Sequence, residues 1–340
     1  MKLNLDKVRR IRFIRLGPGG SMWPECRAKN IIRIGFNSGD PESYALARSG
    51  DWDGYEDLAK RWSGNPKSAS NQVQTFFEDT GDILWVTAAG GEVYYGLTTG
   101  GPILPDPDAK DYTVRHMDAN GWQSTDAAGH ILRPNELDPA ASRTFLFRGT
   151  SCDFSAEGER YLRRRLAGQI ADTPAASADA TPTEQASRQT MFFSYRREIA
   201  PDLSGRIFDR LRGEFGDKVF RDQDNIPPGV VWEEALKDAL RNCAIFLAII
   251  GPGWLDVKDE EGARRIDQEN DWVRTELETA LNAEEAFKMR IVPVLLNDAA
   301  MPIPDELPES LRLLHKRHFV RVRSDPEFEV TIRSLIEKLR

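Results

Sequence analysis

The stretch AIFLAII, Ala244–Ile250, is a run of apolar residues with no polar interruption. Such continuous hydrophobicity indicates a strand that is covered on both faces, as in a parallel sheet. Comparable short runs occur elsewhere in this half of the chain, namely TMFFSY (Thr190–Tyr195), KVF (Lys218–Phe220), IVPVLL (Ile291–Leu296) and HFVRV (His318–Val322). We therefore predict a parallel sheet built from these segments.

Helical patterns lie between the apolar runs. One pattern consists of apolar residues that recur every four positions, namely Leu203, Ile207, Leu211 and Phe215. It ends before Gly216, a residue suited to terminate a helix. Another has the spacing of a buried helix face, with Ile332, Leu335, Ile336 and Leu339. Alternating strands and helices predict a doubly wound α/β domain, whose ligand crevice lies beyond the carboxyl ends of the strands.

A segment of different composition precedes this domain. Residues 167–189 consist almost entirely of Ala, Ser, Thr, Pro, Asp and Gln, with Ile170 as the one large aliphatic residue, so they cannot form a core. We interpret them as a flexible linker between a first domain, residues 1–166, and a second, residues 190–340.

The first half has fewer helical signals and more strand signals. RIRFIRL, IIRIGF and RTFLFRG resemble strands, and GDILWVTAAGGEVYYGLTTGG resembles a hairpin with a glycine-rich turn. The clearest helical segments are YEDLAKRW and AEGERYLRRRLAG. These patterns predict a β-rich α+β domain.

Composition limits the class of protein. The 340 residues leave room for two domains, and 40% hydrophobic with 29% charged residues is typical of a globular protein. No apolar run reaches the length of a transmembrane helix, and arginines interrupt the N-terminal segment, unlike a secretory signal. Three cysteines without a CxxC pair favour a reducing cytoplasm and argue against a metal site or a disulfide framework. A net charge of −8 disfavours nonspecific nucleic-acid binding by the whole chain.

The segment NDWVRTELETAL, residues 270–281, reads as a helix in which Trp272 and Glu276 stand four residues apart. Residues at this spacing lie on the same helix face, so an aromatic ring and a carboxylate could enter one crevice together. The same pattern also fits a core aromatic beside a solvated carboxylate.

Residues 188–340 resemble a bacterial Toll/interleukin-1 receptor (TIR) domain, which has a flavodoxin-like parallel sheet. Four blocks occur in the order of that family: MFFSYRRE, VFRDQDNIPPGVVWEEAL, CAIFLAIIGPGWL and DWVRTELETAL. They resemble the first strand, the second strand with its BB loop, the third strand with its GPxW turn, and the helix that carries a WxxxE element.

This resemblance implies an NAD⁺-cleaving enzyme with Glu276 as the catalytic residue and Trp272 as a surface for a base. NAD⁺ would be the substrate, so no cofactor and no metal are expected. The resemblance further implies self-association through TIR domains, with a BB loop that packs between domains and covers the site, containing Asp224, Ile226, Pro228 and Gly229. Turn formation explains the aspartate in that loop equally well.

Further candidates for substrate binding follow the predicted strands. Ser194, Tyr195 and Arg196 stand at the carboxyl end of the first strand, and Arg196 and Arg197 could pair with the pyrophosphate. Trp254 in GPGWL could form a wall of the pocket. The alternatives are a surface arginine on a loop and a tryptophan that packs under the adjoining loop.

The first half resembles PUA-like and EVE-like domains, in the pieces IRLGPGGSMWPEC, NIIRIGF, TGDILWV and ILRPNELDPAASRTFLFR. The resemblance implies a nucleic-acid or nucleotide ligand, with Trp23, Trp52 or Trp85 as stacking residues. The alternative is that these tryptophans fill a β-rich core.

Three functions remain open from the sequence. The first is an NAD⁺ nucleosidase that serves bacterial anti-phage defence and becomes active on self-association. The second is a non-catalytic TIR interaction module, and the third is a glycosidase acting on other nucleosides or nucleotides.

Overall fold

The structure, a computed structural model, describes residues 3–170, 190–221 and 232–340, and for residues 232–235 only the backbone. The chain divides into two compact units, Met1–Ala175 and Ala176–Arg340. Most of the predicted linker lies outside the described residues, so its flexibility and the predicted domain boundaries stay predictions. Among the described residues, no helix is both long enough and apolar enough to cross a membrane.

The N-terminal unit contains two small sheets. Its strands are β1 (Arg10–Ile14), β2 (Ile31–Ile34), β3 (Ile83–Ala89), β4 (Glu92–Leu97), β5 (Leu104–Pro105), β6 (Thr113–His116) and β7 (Ser151–Asp153). One sheet has the order β4-β3-β1-β7, in which β1 and β3 are parallel, and the other has the antiparallel order β2-β6-β5. The predicted hairpin is present as β3 and β4, which turn at two glycines of positive φ, Gly90 and Gly91.

Helices are more numerous in this unit than the sequence patterns predict. They are α1 (Trp23–Lys29), α2 (Pro41–Ser49), α3 (Trp52–Ala59), α4 (Pro66–Phe77), α5 (Pro139–Ser142) and α6 (Ala156–Leu166). Short 3₁₀ turns span Leu5–Lys7, Pro18–Gly20, Pro134–Glu136 and Arg143–Leu146. The unit is still the β-rich α+β structure that we predicted, but the strand predicted at RTFLFRG is wrong, because its buried Phe145 and Leu146 lie in a 3₁₀ turn.

The C-terminal unit is built on a five-stranded, all-parallel sheet. Its strands are β8 (Thr190–Ser194), β9 (Val219–Phe220), β10 (Cys243–Ile250), β11 (Arg290–Leu296) and β12 (Val320–Val322), in the spatial order β9-β8-β10-β11-β12. In order of appearance along the chain this is 2-1-3-4-5, the flavodoxin-like arrangement. The predicted fold class is therefore confirmed for this unit.

Helices cover both faces of this sheet: α7 (Pro201–Phe215), α8 (Trp232–Arg241), α9 (Trp272–Phe287) and α10 (Phe328–Leu339). Helices α7 and α10 contact each other, and so do α8 and α9. Shorter 3₁₀ turns span Gly216–Lys218, Arg265–Asp267, Pro304–Glu306 and Glu309–Lys316. Gly216 ends α7 with a φ of 65°, as the sequence predicts.

Strand order determines where a ligand can bind in this unit. From β8 the chain continues to β9, which lies on one side of β8 in the sheet, and then to β10, which lies on the other side of β8. The connections therefore change direction between β8 and β10. In open α/β sheets the ligand crevice opens there, beyond the carboxyl ends of the strands. That position corresponds to the residues that follow Ser194 and Ile250.

Candidate functional site

Ser194 and Glu276 meet at this point of the sheet. Ser194 is the last residue of β8, and its hydroxyl donates a hydrogen bond of 2.5 Å to Oε2 of Glu276 in α9. The two residues are only 2% and 3% exposed. A carboxylate in such surroundings acts on nearby charges more strongly than one in water, because less solvent screens it.

Trp272 lies one helical turn before Glu276 and has a very different environment. It is the first residue of α9, directly after the N-cap Asp271, and 49% of its surface is exposed. The i, i+4 spacing places Trp272 and Glu276 on the same face of α9. The structure thus combines an accessible flat ring and an enclosed carboxylate at one end of one helix.

A buried ion pair lies next to the Ser194–Glu276 hydrogen bond. Both terminal nitrogens of Arg196, which follows β8, donate to the two carboxylate oxygens of Asp271, each at 2.9 Å. Both side chains are about 1% exposed. Oδ1 of Asp271 also accepts a hydrogen bond from the backbone N–H of Arg274, which caps the helix. One carboxylate therefore connects the start of α9 to the loop after β8.

Neighbouring side chains surround this ion pair. The guanidinium of Arg196 lies 5.4 Å from the ring centre of Trp254, which is 2% exposed. Nε of Arg265 lies 3.3 Å from Oδ2 of Asp271, and Nη1 of Arg265 donates a hydrogen bond of 2.6 Å to Oε1 of Glu198. The buried ring of Trp254 therefore lies beside the guanidinium of Arg196. Its role as a wall of a substrate pocket stays a prediction.

Tyr195 is separated from this group. Its ring lies 5.7 Å from that of Phe193 and packs against the core beneath α7. Successive side chains of a strand point to opposite faces, so Tyr195 faces away from Ser194. The structure therefore brings Ser194, Arg196, Trp254 and the α9 residues together, but not Tyr195. The predicted BB-loop residues Asp224, Ile226, Pro228 and Gly229 lie outside the described residues.

Asp271 and Arg265 were not among the candidates from the sequence. Asp271 could have been noticed, because an aspartate immediately before the first apolar residue of a helix is a common N-cap signal. Its partner Arg196 is 75 positions away, and no local pattern shows that contact.

A cavity of about 380 Å³ opens elsewhere in the C-terminal unit, among the first residues of β11 and β12. Because the sheet is parallel, this position is at the end of the strands opposite to Ser194, and the cavity contains neither Ser194 nor Glu276. Within the described ranges, no group of three or more His, Cys, Asp or Glu residues is arranged to hold a metal ion.

The tryptophans proposed for stacking in the N-terminal unit differ in accessibility. Trp85 is fully buried, and its indole N–H donates to Asp79 at 2.9 Å, so it belongs to the core. Trp23 is 8% exposed and packs 4.4 Å from the ring of Tyr94, whereas Trp52 is partly exposed. Trp23 and Trp85 both belong to the buried core of this unit, as the alternative interpretation predicts, and a nucleotide ligand for this unit stays a prediction.

Comparison with known proteins identifies the C-terminal unit. Residues 191–336 match the TIR domain family, so this part of the chain is a TIR domain. Among 22 matching chains of solved structures is one from the structure of the activated Roq1 resistosome directly recognizing the pathogen effector XopQ (TIR domains). It is 15% identical, with 45% of this chain and 99% of that chain covered and a TM-score of 0.35. A search of curated proteins finds no match.

Proposed function

We propose that the TIR domain cleaves the bond between nicotinamide and ribose in NAD⁺, releasing nicotinamide and ADP-ribose or a cyclic form of it. Glu276 is the catalytic residue in this proposal. The observation that carries it is the burial of the Glu276 carboxylate against Ser194 at the strand ends where α/β sheets bind ligands. Self-association of TIR domains would bring the enzyme to its active state.

The chemistry of NAD⁺ cleavage fits one fixed carboxylate. Nicotinamide leaves a cationic pyridinium as a neutral base, so its departure requires no proton. Positive charge instead develops on the ribose, as in the oxocarbenium-like transition state of glycoside cleavage. Water then bonds to the same ribose carbon and loses a proton to the solvent, which gives ADP-ribose. A carboxylate beneath the sugar stabilises that charge, provided that little water screens it.

Ser194 and Trp272 have distinct roles in this proposal. The Ser194 hydroxyl donates to Oε2 of Glu276, which limits the rotation of the carboxyl group and fixes its direction. Trp272 offers an exposed aromatic face on which a base can stack. Both residues would act without exchanging protons with the substrate.

The wider role that we propose is an effector of bacterial anti-phage defence in the cytoplasm. An enzyme that consumes NAD⁺ must stay inactive until it is required, and a second unit on the same chain is suited to supply the trigger. The N-terminal unit would detect a nucleic acid, a nucleotide or another feature of the invader. Association of the TIR domains would then start NAD⁺ cleavage.

A non-catalytic TIR interaction module is the second candidate. Trp272 favours it, because an aromatic side chain with 49% of its surface exposed is also typical of protein interfaces. In that case Trp272 would contact a partner domain, and the buried carboxylate would serve only stability.

Product analysis separates the two candidates. The purified full chain is incubated with NAD⁺ at increasing protein concentration, with and without a crowding agent, and the products are separated by chromatography. We expect nicotinamide and ADP-ribose, or its cyclic form, to appear at a rate that rises more steeply than the protein concentration. If self-associated protein releases no nicotinamide, the enzymatic proposal is wrong and the interaction module is favoured.

A further inference from the structure

Two separate contacts join the same two elements of the TIR domain. Ser194 bonds to Glu276, and two residues further along the chain Arg196 bonds to Asp271, five residues before Glu276. We propose that the Arg196–Asp271 pair is a clasp that fixes α9 against the end of β8, and that both are positioning residues for Glu276. The inference rests on the proposed NAD⁺ cleavage.

The geometry of the pair is suited to holding a helix in place. A guanidinium that engages both oxygens of a carboxylate restricts rotation as well as distance, which a single hydrogen bond does not. Asp271 also accepts from the backbone N–H of Arg274, so the clasp acts directly on the first turn of α9. That turn carries Trp272 at its start and leads to Glu276.

The same geometry bears on the prediction that Arg196 binds the pyrophosphate. Both terminal nitrogens of Arg196 are engaged by the carboxylate of Asp271. Its remaining nitrogen, Nε, is buried and has no hydrogen-bond partner among the described residues. Substrate binding would require Arg196 to leave Asp271, whereas positioning uses the arrangement as it stands.

The two roles predict different kinetics. The clasp holds the turn that carries Trp272 and leads to Glu276, so its loss should lower kcat, and any rise in KM for NAD⁺ should be the same in the Arg196 and Asp271 variants. Displacement of a catalytic group by about 1 Å can cost roughly 100-fold in rate, and we expect losses of that order. Direct binding of the pyrophosphate predicts instead that Arg196 variants raise KM while Asp271→Asn does not.

The test compares Arg196→Lys, Arg196→Met, Asp271→Asn and the double variant Arg196→Met/Asp271→Asn in the full chain. Lysine keeps the charge but loses the two-pronged contact, and asparagine keeps the helix cap. The control is Arg264→Gln, in the loop that precedes α9. Nε of Arg264 lies 2.8 Å from Oδ2 of Asp267, and both side chains of this pair are exposed. This control should keep the kcat and KM of the unaltered chain.

The double variant keeps the test decisive if a single variant folds poorly, because it leaves no unpaired charge in the interior. If the pair acts as a clasp, Arg196→Met and Asp271→Asn each remove the same contact. The kcat of the double variant should then be as low as that of the more active of these two single variants. A kcat restored to that of the unaltered chain would overturn the proposal. So would a raised KM confined to the Arg196 variants.

Amide hydrogen exchange gives a readout that does not depend on catalysis. Arg196→Met leaves the Asp271 cap in place, and we expect faster exchange in residues 271–277 than in the Arg264→Gln control. Unchanged exchange there overturns the clasp, whatever the activity. If the unaltered chain releases no nicotinamide but exchange is faster in the variant, NAD⁺ cleavage is refuted and the clasp itself stands.

Discussion

Replacing Arg196 by methionine should destabilise the TIR domain by about 3 kcal/mol, because Asp271 would keep its charge in the interior without its main partner. Removal of one partner from a buried ion pair costs about 3–5 kcal/mol. The side chains of this pair are about 1% exposed. Arg265 would remain 3.3 Å from Asp271, which places the expectation at the lower end of that range.

An exposed ion pair in the same unit provides the matched comparison. Arg210 and Glu329 are 3.2 Å apart, with side chains 51% and 60% exposed. Solvent screens such a pair, and its loss should cost no more than about 1 kcal/mol. Arg210→Met therefore removes the same kind of side chain and differs mainly in burial.

Differential scanning calorimetry of the full chain measures both effects. For a unit of this size, about 3 kcal/mol corresponds to a fall in Tm of roughly 6–12 °C, and Arg210→Met should shift it by less than about 4 °C. Adding Asp271→Asn to Arg196→Met should recover part of the loss, since the unpaired charge disappears. Equal shifts for Arg196→Met and Arg210→Met would show that burial of the pair has no energetic consequence and would refute this reasoning.

Other consequences concern the site and the thiols. Ser194→Ala removes a buried hydrogen bond to a carboxylate and should lower kcat/KM about 10- to 100-fold; steady-state kinetics within twofold of the unaltered chain would contradict this. Trp272→Ala should raise KM for NAD⁺ about tenfold with Tm nearly unchanged, whereas an unchanged KM would exclude stacking. Burial raises the pKa of two thiols to about 12, so at pH 8 a thiol reagent should modify partly exposed Cys152 well before Cys26 and Cys243, and equal rates would contradict that order.

The sheet of the TIR domain was predictable because its strands are buried on both faces. Such strands must be apolar throughout, and AIFLAII identifies all but the first residue of β10, Cys243–Ile250. The helix repeat that ends before Gly216 matches α7, because one face of that helix lies in the core and is apolar.

The N-terminal unit was harder to predict because its elements are short and irregular. Helices α2 and α4 begin with Asp40–Pro41 and Asn65–Pro66, a capping residue followed by proline, and these signals were available in the sequence. RTFLFRG was not decidable locally, because a short apolar run fits a buried turn as well as a strand.

The candidate site was predictable only in part. The family resemblance and helical spacing selected Glu276 and Trp272 but not their environments, which are 3% and 49% exposed. Burial depends on how α9 packs against β8 and β10, and this is a property of the whole fold. Contacts between distant segments, such as Arg196 with Asp271, likewise require the three-dimensional structure.

Nicotinamide release by Glu276→Gln is the most direct test of the proposed catalytic role. A carboxylate about 4 Å from the ribose cation contributes about 4 kcal/mol at the effective dielectric of a partly buried site but only about 1 kcal/mol in water. The burial of Glu276 therefore predicts a fall in kcat/KM of roughly 1000-fold. Glu278→Gln is the control, since Glu278 is a buried carboxylate of the same helix that accepts from Arg274 and Ser310.

We expect Glu278→Gln to stay within about threefold of the unaltered chain once both variants are shown to be folded by their Tm. Glu276→Gln should release almost no nicotinamide under the same conditions. A Glu276→Gln variant that is folded and cleaves NAD⁺ within fivefold of the unaltered chain would contradict a catalytic role for this carboxylate.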